Sequence, residues 1–217
     1  LVSHSHLQGG WWGGSLLSNF STSFALIPRF IGLSLWPQTL IGDYYPETIP
    51  LALSPFDPRT LLGLALVVGT VFGFIRLIRA GQKTAAFGIA WFAITLTPVL
   101  HIFPHHELFA EHYLYLPLIG LGIALMPVVD WVLQNQSKAR VVGVLLLSVT
   151  CLGATWRTHI RAHDWTDELT FYRAVLEHAP ENARAQYTAA ANLAEYGQCD
   201  HALPLFEQAI ARTTASS

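Results

Sequence analysis

The residues best suited to chemistry lie in one short segment, 101–117, where histidines and carboxylates lead directly into an apolar run. The ionisable members are His101, His105, His106, Glu107, Glu111 and His112. Ionisable side chains beside hydrocarbon need water, a partner or a ligand, so the segment is a candidate site. Imidazole and carboxylate suit Zn or Fe. However, the spacing matches no H-E-x-x-H motif, and we predict no metal.

Within this segment, Glu111 and His112 are the first candidates for binding a phosphate or polarising a hydroxyl. A histidine titrates near neutrality. A desolvated glutamate has a raised pKa that suits acid–base work. His105, His106 and Glu107 are secondary candidates for the same role. Residue types alone favour the simpler interpretation, a solvated loop whose charges mark the membrane boundary.

Two further places in the chain carry candidate binding residues. Asp43 and Tyr44 lie in a loop rich in proline and aromatics, where a carboxylate beside an aromatic face suits a sugar ring. The simpler interpretation of this loop, favoured by its composition, is an interfacial segment with proline-set turns. Arg29 lies in an apolar segment, where a cation either contacts a lipid phosphate or reaches out to the interface.

The elements that position these residues are predicted to be membrane helices. The 217 residues are 52% hydrophobic and 12% charged, with a mean hydropathy of +0.40, whereas soluble domains contain about 25% charged residues. The fold class is therefore all-α, with four to five spans inside a transmembrane domain of residues 15–156. Residues 1–14 form an N-terminal segment that suits the interface. The predicted spans are about 15–36, 61–78, 85–103, 113–133 and 141–156.

The distribution of basic residues in the short loops predicts the orientation. Arg76, Arg79 and Lys83 lie between the second and third spans, and Lys138 and Arg140 lie between the fourth and fifth. Both loops are expected in the cytoplasm. This places the Asp43 loop, the histidine cluster and everything after the fifth span outside the cytoplasm. The net charge of −2 gives no general attraction to nucleic acid.

Residues 157–217 are more polar and contain a repeated pattern. Tyr172 and Phe206 are 34 positions apart, as are Leu169 and Leu203, and Gly197 lies between the two units. This period is typical of a tetratricopeptide repeat, and the alternative is an ordinary antiparallel helical hairpin. About three repeats are needed for stability alone, so we expect the tail to contact the membrane domain, further repeats or a protein partner.

Several motifs occur in the order found in a known family. They are Leu35-Trp-Pro with Asp43-Tyr-Tyr45 and Ile49-Pro50, Gly88-Ile-Ala-Trp-Phe-Ala93 with Thr97-Pro-Val99, Phe103-Pro104, Ala110-Glu-His-Tyr-Leu-Tyr-Leu-Pro117, Trp165-Thr-Asp-Glu168 and Pro180-Glu-Asn-Ala183. With these motifs the chain resembles the C-terminal portion of the transmembrane-and-tetratricopeptide-repeat protein O-mannosyltransferases, or their bacterial relatives. Those enzymes are membrane glycosyltransferases of the GT-C fold.

The resemblance implies transfer of a sugar, typically mannose, from a polyprenyl phosphate to a Ser or Thr hydroxyl outside the cytoplasm. The lipid-linked sugar is then the donor substrate and no cofactor is expected. The repeat is expected to recruit protein partners, and the bacterial inner membrane is the expected location. The family usually has Glu-Arg where this chain has Glu111-His112. Arginine binds phosphate with a permanent charge, whereas histidine does so only when protonated.

Two hypotheses of different classes follow. In the first, the chain is the C-terminal part of a membrane glycosyltransferase, with Glu111, His112, Arg29, Asp43 and Tyr44 around the lipid-sugar site. The family's catalytic carboxylate is expected in an early extracytoplasmic loop, which would precede Leu1. In the second, the chain is a non-catalytic scaffold or accessory subunit of a larger membrane complex, derived from the same family.

Overall fold

The chain is predominantly helical where the computed structural model describes it, namely residues 7–8, 11–37, 40–44, 48–102, 107–134 and 138–215. Two short antiparallel strands, β1 (Leu7–Gln8) and β2 (Trp11–Trp12), come first. The α-helices that follow are α1 (Leu16–Leu35), α2 (Pro58–Arg79), α3 (Lys83–Leu96), α4 (Tyr115–Gln134), α5 (Lys138–His163), α6 (Glu168–His178), α7 (Ala183–Glu195) and α8 (Cys199–Ala215). Short 3-10 turns, Thr97–Val99 and Glu111–Leu114, flank the loop between α3 and α4.

Helix α1 is covered by protein along a polar stripe at its N-terminal half. Ser15 caps the helix by accepting a hydrogen bond from the Ser18 amide. Asn19 donates to the His101 carbonyl at 2.8 Å, and the Thr22 hydroxyl accepts from the Ala52 amide at 3.0 Å. Buried polar groups are tolerated when they are hydrogen-bonded in this way. The polar residues of this helix therefore bind neighbouring loops.

A glycine in α2 packs against α1 at a backbone carbonyl that a proline leaves without its helical hydrogen bond. Pro28 lies inside α1 and has no N–H, so the Phe24 carbonyl receives no helical hydrogen bond from that position. Gly63 of α2 packs against this carbonyl, and a Cβ at Gly63 would lie 1.9 Å from the Phe24 oxygen. The two helices consequently pack with backbone against backbone.

Helices α3 and α4 form a second close pair. A Cβ at Gly88 would lie 2.3 Å from the Ala124 amide nitrogen, and a Cβ at Gly120 would lie 2.6 Å from the Gly88 carbonyl oxygen. Small residues at facing positions are typical of helices that associate in membranes, because they let the backbones approach. The pair supports the 3-10 turn that begins at Glu111.

Three helical segments are long and apolar enough to cross a membrane: Pro58–Arg79, Glu111–Gln134 and Arg140–His163. They correspond to the second, fourth and fifth predicted spans and support a membrane protein. The third predicted span is a shorter apolar helix, Lys83–Val99. Helix α1 coincides with the first predicted span but is not among the three. Helix α5 runs on past Trp156, where the fifth span was predicted to end, as far as His163.

The tail consists of α6, α7 and α8, packed in sequence. Asp167 caps α6 by accepting from the Thr170 amide at 2.8 Å, and Asn182 caps α7 by accepting from the Ala185 amide at 3.0 Å. Ala190 of α7 and Ala202 of α8 are buried where these helices meet. The structure supports a helical tail, whereas the assignment to a tetratricopeptide repeat stays a prediction.

Candidate functional site

The candidate site is built on a buried aromatic cluster that joins α1 to two loops. The Phe30 ring stacks on Phe109 with centroids 4.5 Å apart, and Tyr44 meets the edge of Phe109 at 4.8 Å. All three side chains are buried. Burial of such rings stabilises the fold strongly and permits few orientations. The cluster therefore fixes the 40–44 and 107–110 segments beside each other.

Glu111 follows this cluster directly and binds the 40–44 loop. Its Oε1 accepts hydrogen bonds from the Tyr44 hydroxyl at 2.9 Å and from the Gly42 amide at 3.2 Å. Gly42 has a positive φ of 83°, which favours glycine. A Cβ at this position would lie 2.7 Å from the Phe171 ring and 2.9 Å from Arg161 Nη2. The glycine thus keeps the space around the carboxylate open to both neighbours.

The Tyr44 hydroxyl is held as a hydrogen-bond donor. Its pKa is raised to about 12, first by burial and then by the negative charge of Glu111 and the hydrogen bond to it. The phenol is accordingly protonated at every physiological pH. Glu111 is oriented through one oxygen, Oε1, by a neutral donor and a backbone amide, which leaves Oε2 for other contacts.

Arg29 places a positive charge near the rings of Tyr44 and Phe109. Its guanidinium carbon lies 5.1 Å from the Tyr44 ring centroid and 5.2 Å from that of Phe109. Cations at this distance are attracted by the ring faces. No carboxylate of the described residues lies within 4 Å of Arg29 to form an ion pair. The arginine therefore retains charge with which to bind an anion.

Arg161 of α5 reaches the second carboxylate oxygen of Glu111. Its Nη2 lies 3.8 Å from Glu111 Oε2, and its Nη1 donates to Asp164 Oδ2 at 2.9 Å. The side chain is only 17% exposed. Its Nε and Nη2 are buried and have no hydrogen-bond partner among the described residues. Buried donors normally have partners, so these two N–H groups and Glu111 Oε2 together define a place for a polar ligand group.

Asp43 faces the tail and is bound by it. The Arg184 guanidinium forms a two-point ion pair with the Asp43 carboxylate, with Nε 2.9 Å from Oδ2, and Asn182 Nδ2 donates to the Asp43 carbonyl at 3.2 Å. The Asp43 side chain is 9% exposed and that of Arg184 is 44% exposed. Asp43, which the sequence suggested as a sugar ligand, therefore couples the tail to the loop that carries Tyr44.

The remaining candidates from the histidine segment are dispersed. His112 is exposed, and its ring meets the edge of Tyr113 at 4.7 Å. Glu107 accepts from the Tyr113 hydroxyl at 3.3 Å. His105 and His106 lie outside the described residues. Within the part of the chain that the structure describes, no three His, Cys, Asp or Glu residues are grouped to hold a metal ion.

His101 has a structural position, with both ring nitrogens bound to protein. Trp12 Nε1 donates to its Nδ1 at 3.2 Å, so its Nε2 carries the proton and donates to the Leu108 carbonyl at 2.7 Å. It is buried and has a positive φ of 56°. These bonds fix the loop that leads to Phe109 and Glu111.

Sequence reasoning missed Arg161 and Arg184. Arg161 lies beyond the predicted end of the fifth span and was assigned to the tail. Arg184 had a local signal, because it lies in the first turn of α7, where the helix dipole disfavours a cation. A cation at such a position needs an acidic partner from elsewhere in the fold, here Asp43.

The comparisons with known proteins support a relationship to protein O-mannosyl-transferases. The mouse protein O-mannosyl-transferase TMTC4 is 27% identical over 170 residues, which cover 76% of this chain and 23% of that protein. Mouse TMTC1 is 23% identical over 201 residues, covering 90% of the chain and 21% of the relative. Drosophila melanogaster Tmtc3 is 24% identical over 184 residues, covering 82% and 20%. The chain thus spans about a fifth to a quarter of their length. Neither a protein-family model nor a solved structure matches it.

Proposed function

We propose that the chain is the part of a membrane protein glycosyltransferase that binds a lipid-phosphate-linked sugar, with Glu111, Tyr44, Arg29 and Arg161 around the donor. One observation carries the proposal. Arg161 Nε and Nη2 are buried and have no hydrogen-bond partner among the described residues, and Nη2 lies 3.8 Å from Glu111 Oε2. An anionic ligand with hydroxyl groups would satisfy both sides, because its phosphate accepts and its hydroxyls donate.

In this proposal the residues have separate roles. Arg161 and Arg29 bind the phosphate and neutralise the charge that grows on it as the sugar departs. Glu111, oriented by Tyr44 and Gly42, accepts a hydrogen bond from a sugar hydroxyl. The Ser or Thr oxygen of the acceptor bonds to the anomeric carbon, the bond from that carbon to the phosphate oxygen breaks, and polyprenyl phosphate leaves with the electron pair. The hydroxyl proton passes to a carboxylate base, which the family resemblance places in an earlier loop of the longer relatives.

The finer features of the architecture belong to the same proposal. We propose the arrangement of four to five spans, with the tail and the Glu111 site outside the cytoplasm, because the basic loops alternate consistently with that topology. The tail would act as a tetratricopeptide-like unit that presents or recruits protein acceptors. We also propose a bacterial inner membrane as the location, on the basis of the resemblance of the sequence motifs to the bacterial relatives.

A non-catalytic scaffold is the second candidate function. The favouring observation is the ion pair of Asp43 with Arg184, which holds one predicted sugar ligand against the tail. In a scaffold, this contact and the exposed apolar helices would serve to bind neighbouring membrane subunits.

The experiment that separates the two is sugar transfer by the full-length protein that contains this chain. Glu111→Gln preserves size and removes the charge, and we expect at least a hundredfold loss of transfer from polyprenyl-phosphate mannose to an acceptor peptide. Arg161→Gln should lower transfer comparably. Glu177→Gln is the matched control, since Glu177 is exposed on α6 away from the site. Transfer unchanged by Glu111→Gln would exclude the proposed site, and no transfer by the unaltered full-length protein would favour the scaffold.

A further inference from the structure

At the end of the helices opposite Glu111, helices α2, α3 and α4 enclose an open groove. Its volume is about 460 Å³, and its lining is almost wholly apolar. The lining residues are Leu77, Gln82, Ala85, Ile89, Ala124, Pro127, Val128 and Trp131. Gln82, in the turn between α2 and α3, is polar and lies at the mouth. In a membrane such a concave apolar surface must be filled by something apolar.

The mouth of this groove lies in the most basic region of the chain. The α2–α3 turn carries Arg76, Arg79 and Lys83, all exposed. Lys138 and Arg140 follow α4 in the sequence. Residues 76–83 and 130–140 together contain a single acidic residue, Asp130 on α4. No carboxylate of the described residues lies within 4 Å of the three cations of the α2–α3 turn. Their charge is available to a ligand.

We infer that this groove binds an anionic phospholipid, with one acyl chain along Ala85, Ile89, Val128 and Trp131 and the headgroup phosphate at Lys83 and Arg79. The lining suits an acyl chain, because seven of its eight residues are apolar. The unpaired cations at the mouth supply the preference for negative charge. The inference is independent of the proposed sugar transfer.

Trp131 provides a direct test, because it lies in the groove and is 61% exposed. The purified chain is placed in nanodiscs that contain brominated phosphatidylglycerol or brominated phosphatidylcholine, and Trp131 quenching is taken as the difference from Trp131→Phe. We expect half-maximal quenching at a several-fold lower mole fraction of phosphatidylglycerol. Lys83→Gln should reduce this preference about fivefold, the equivalent of about 1 kcal/mol per cation near the surface.

Two controls make the test specific. Arg140→Gln removes a positive charge on α5, a helix that contributes no residue to the groove lining, and it should leave the preference within twofold of the unaltered chain. Val128→Phe, at an exposed lining position, should reduce quenching by both lipids because it narrows the groove. Equal quenching by the two lipids, or an equal effect of Arg140→Gln and Lys83→Gln, would overturn the inference. Absence of quenching by either lipid would also overturn it, since another protein segment would then fill the groove.

Discussion

The ion pair between Asp43 and Arg184 should determine how firmly the tail is attached to the membrane helices. Exposed ion pairs contribute about 0–1 kcal/mol, and removing one partner of a fully buried pair costs about 3–5 kcal/mol. Asp43 is 9% exposed and Arg184 is 44% exposed, so this pair lies between those cases. We expect Arg184→Gln to weaken docking by about 2 kcal/mol, because it leaves a buried carboxylate without its partner.

Hydrogen exchange measured in detergent or nanodiscs reports this loss locally. A change of 2 kcal/mol corresponds to amide exchange in α7 that is about 30-fold faster where exchange requires undocking. Asp43→Asn should accelerate amide exchange in α7 by a similar factor. In the double variant, exchange should be no faster than in the single variant with the larger effect. Arg184→Lys keeps the charge but loses the two-point geometry, so its effect should be intermediate.

The coupling energy between Asp43 and Arg184 tests whether their ion pair attaches the tail. Effects of separate sites add within about 0.3–0.5 kcal/mol, whereas we expect these two to deviate from additivity by about 1–2 kcal/mol. Additive effects of Asp43→Asn and Arg184→Gln would show that the pair does not attach the tail. Unchanged exchange in α7 for both single variants would refute the docking altogether.

Three further predictions concern stability and titration. In a thermal unfolding assay, Gly63→Ala should lower the free energy of unfolding by about 1–3 kcal/mol, because the new Cβ would lie 1.9 Å from the Phe24 oxygen. Gly69→Ala is the control, since the space around Gly69 is open, and it should be neutral or stabilising. The Thr170 backbone amide and then the Thr170 hydroxyl lower the pKa of Asp167, so this N-cap stabilises α6 above about pH 4 and its contribution is lost on acidification. The difference in hydrogen exchange of α6 between the unaltered chain and Asp167→Ala should therefore shrink at lower pH. A difference that stays constant with pH would contradict the cap. Because the pKa of Tyr44 is raised to about 12, the stability that its hydrogen bond gives the fold should be complete below about pH 10 and be lost toward pH 12. The phenolate absorbance of the unaltered chain, compared with that of Tyr44→Phe, measures this ionisation. Ionisation near pH 10 would be incompatible with the buried hydrogen bond to Glu111.

The sequence predicted the helices well because their signals are local. Apolar segments of spanning length, with basic residues between them, placed α2, α4 and α5 close to their observed positions. Helix α1 was harder to interpret. Asn19 and Thr22 lie in a segment that the sequence assigned to a membrane span, whereas they bind the backbones of His101 and Ala52 inside the protein. Composition records polarity but cannot distinguish water from a buried hydrogen-bond partner.

The site was predictable as a set of residue types but not as an arrangement. Tyr44 and Glu111 were both candidates, yet their hydrogen bond joins residues 67 positions apart. The bond between Arg184 and Asp43 spans 141 positions. Helical periodicity carries no information on such contacts, since they depend on how the aromatic cluster of Phe30, Tyr44 and Phe109 brings two loops together. Arg161 was missed for the same reason, because its position depends on α5 continuing past the predicted span.

Photo-crosslinking with a polyprenyl-phosphate mannose that carries a diazirine next to the phosphate tests the central claim most directly. In the full-length protein, mass spectrometry should locate the crosslinks in the 40–44 loop, the Glu111–Leu114 turn and the part of α5 around Arg161. Unlabelled donor should compete for them, and Arg161→Gln should reduce them at least tenfold while Arg140→Gln leaves them unchanged. Crosslinks that occur only elsewhere in the protein, or that do not respond to Arg161→Gln, would contradict the account.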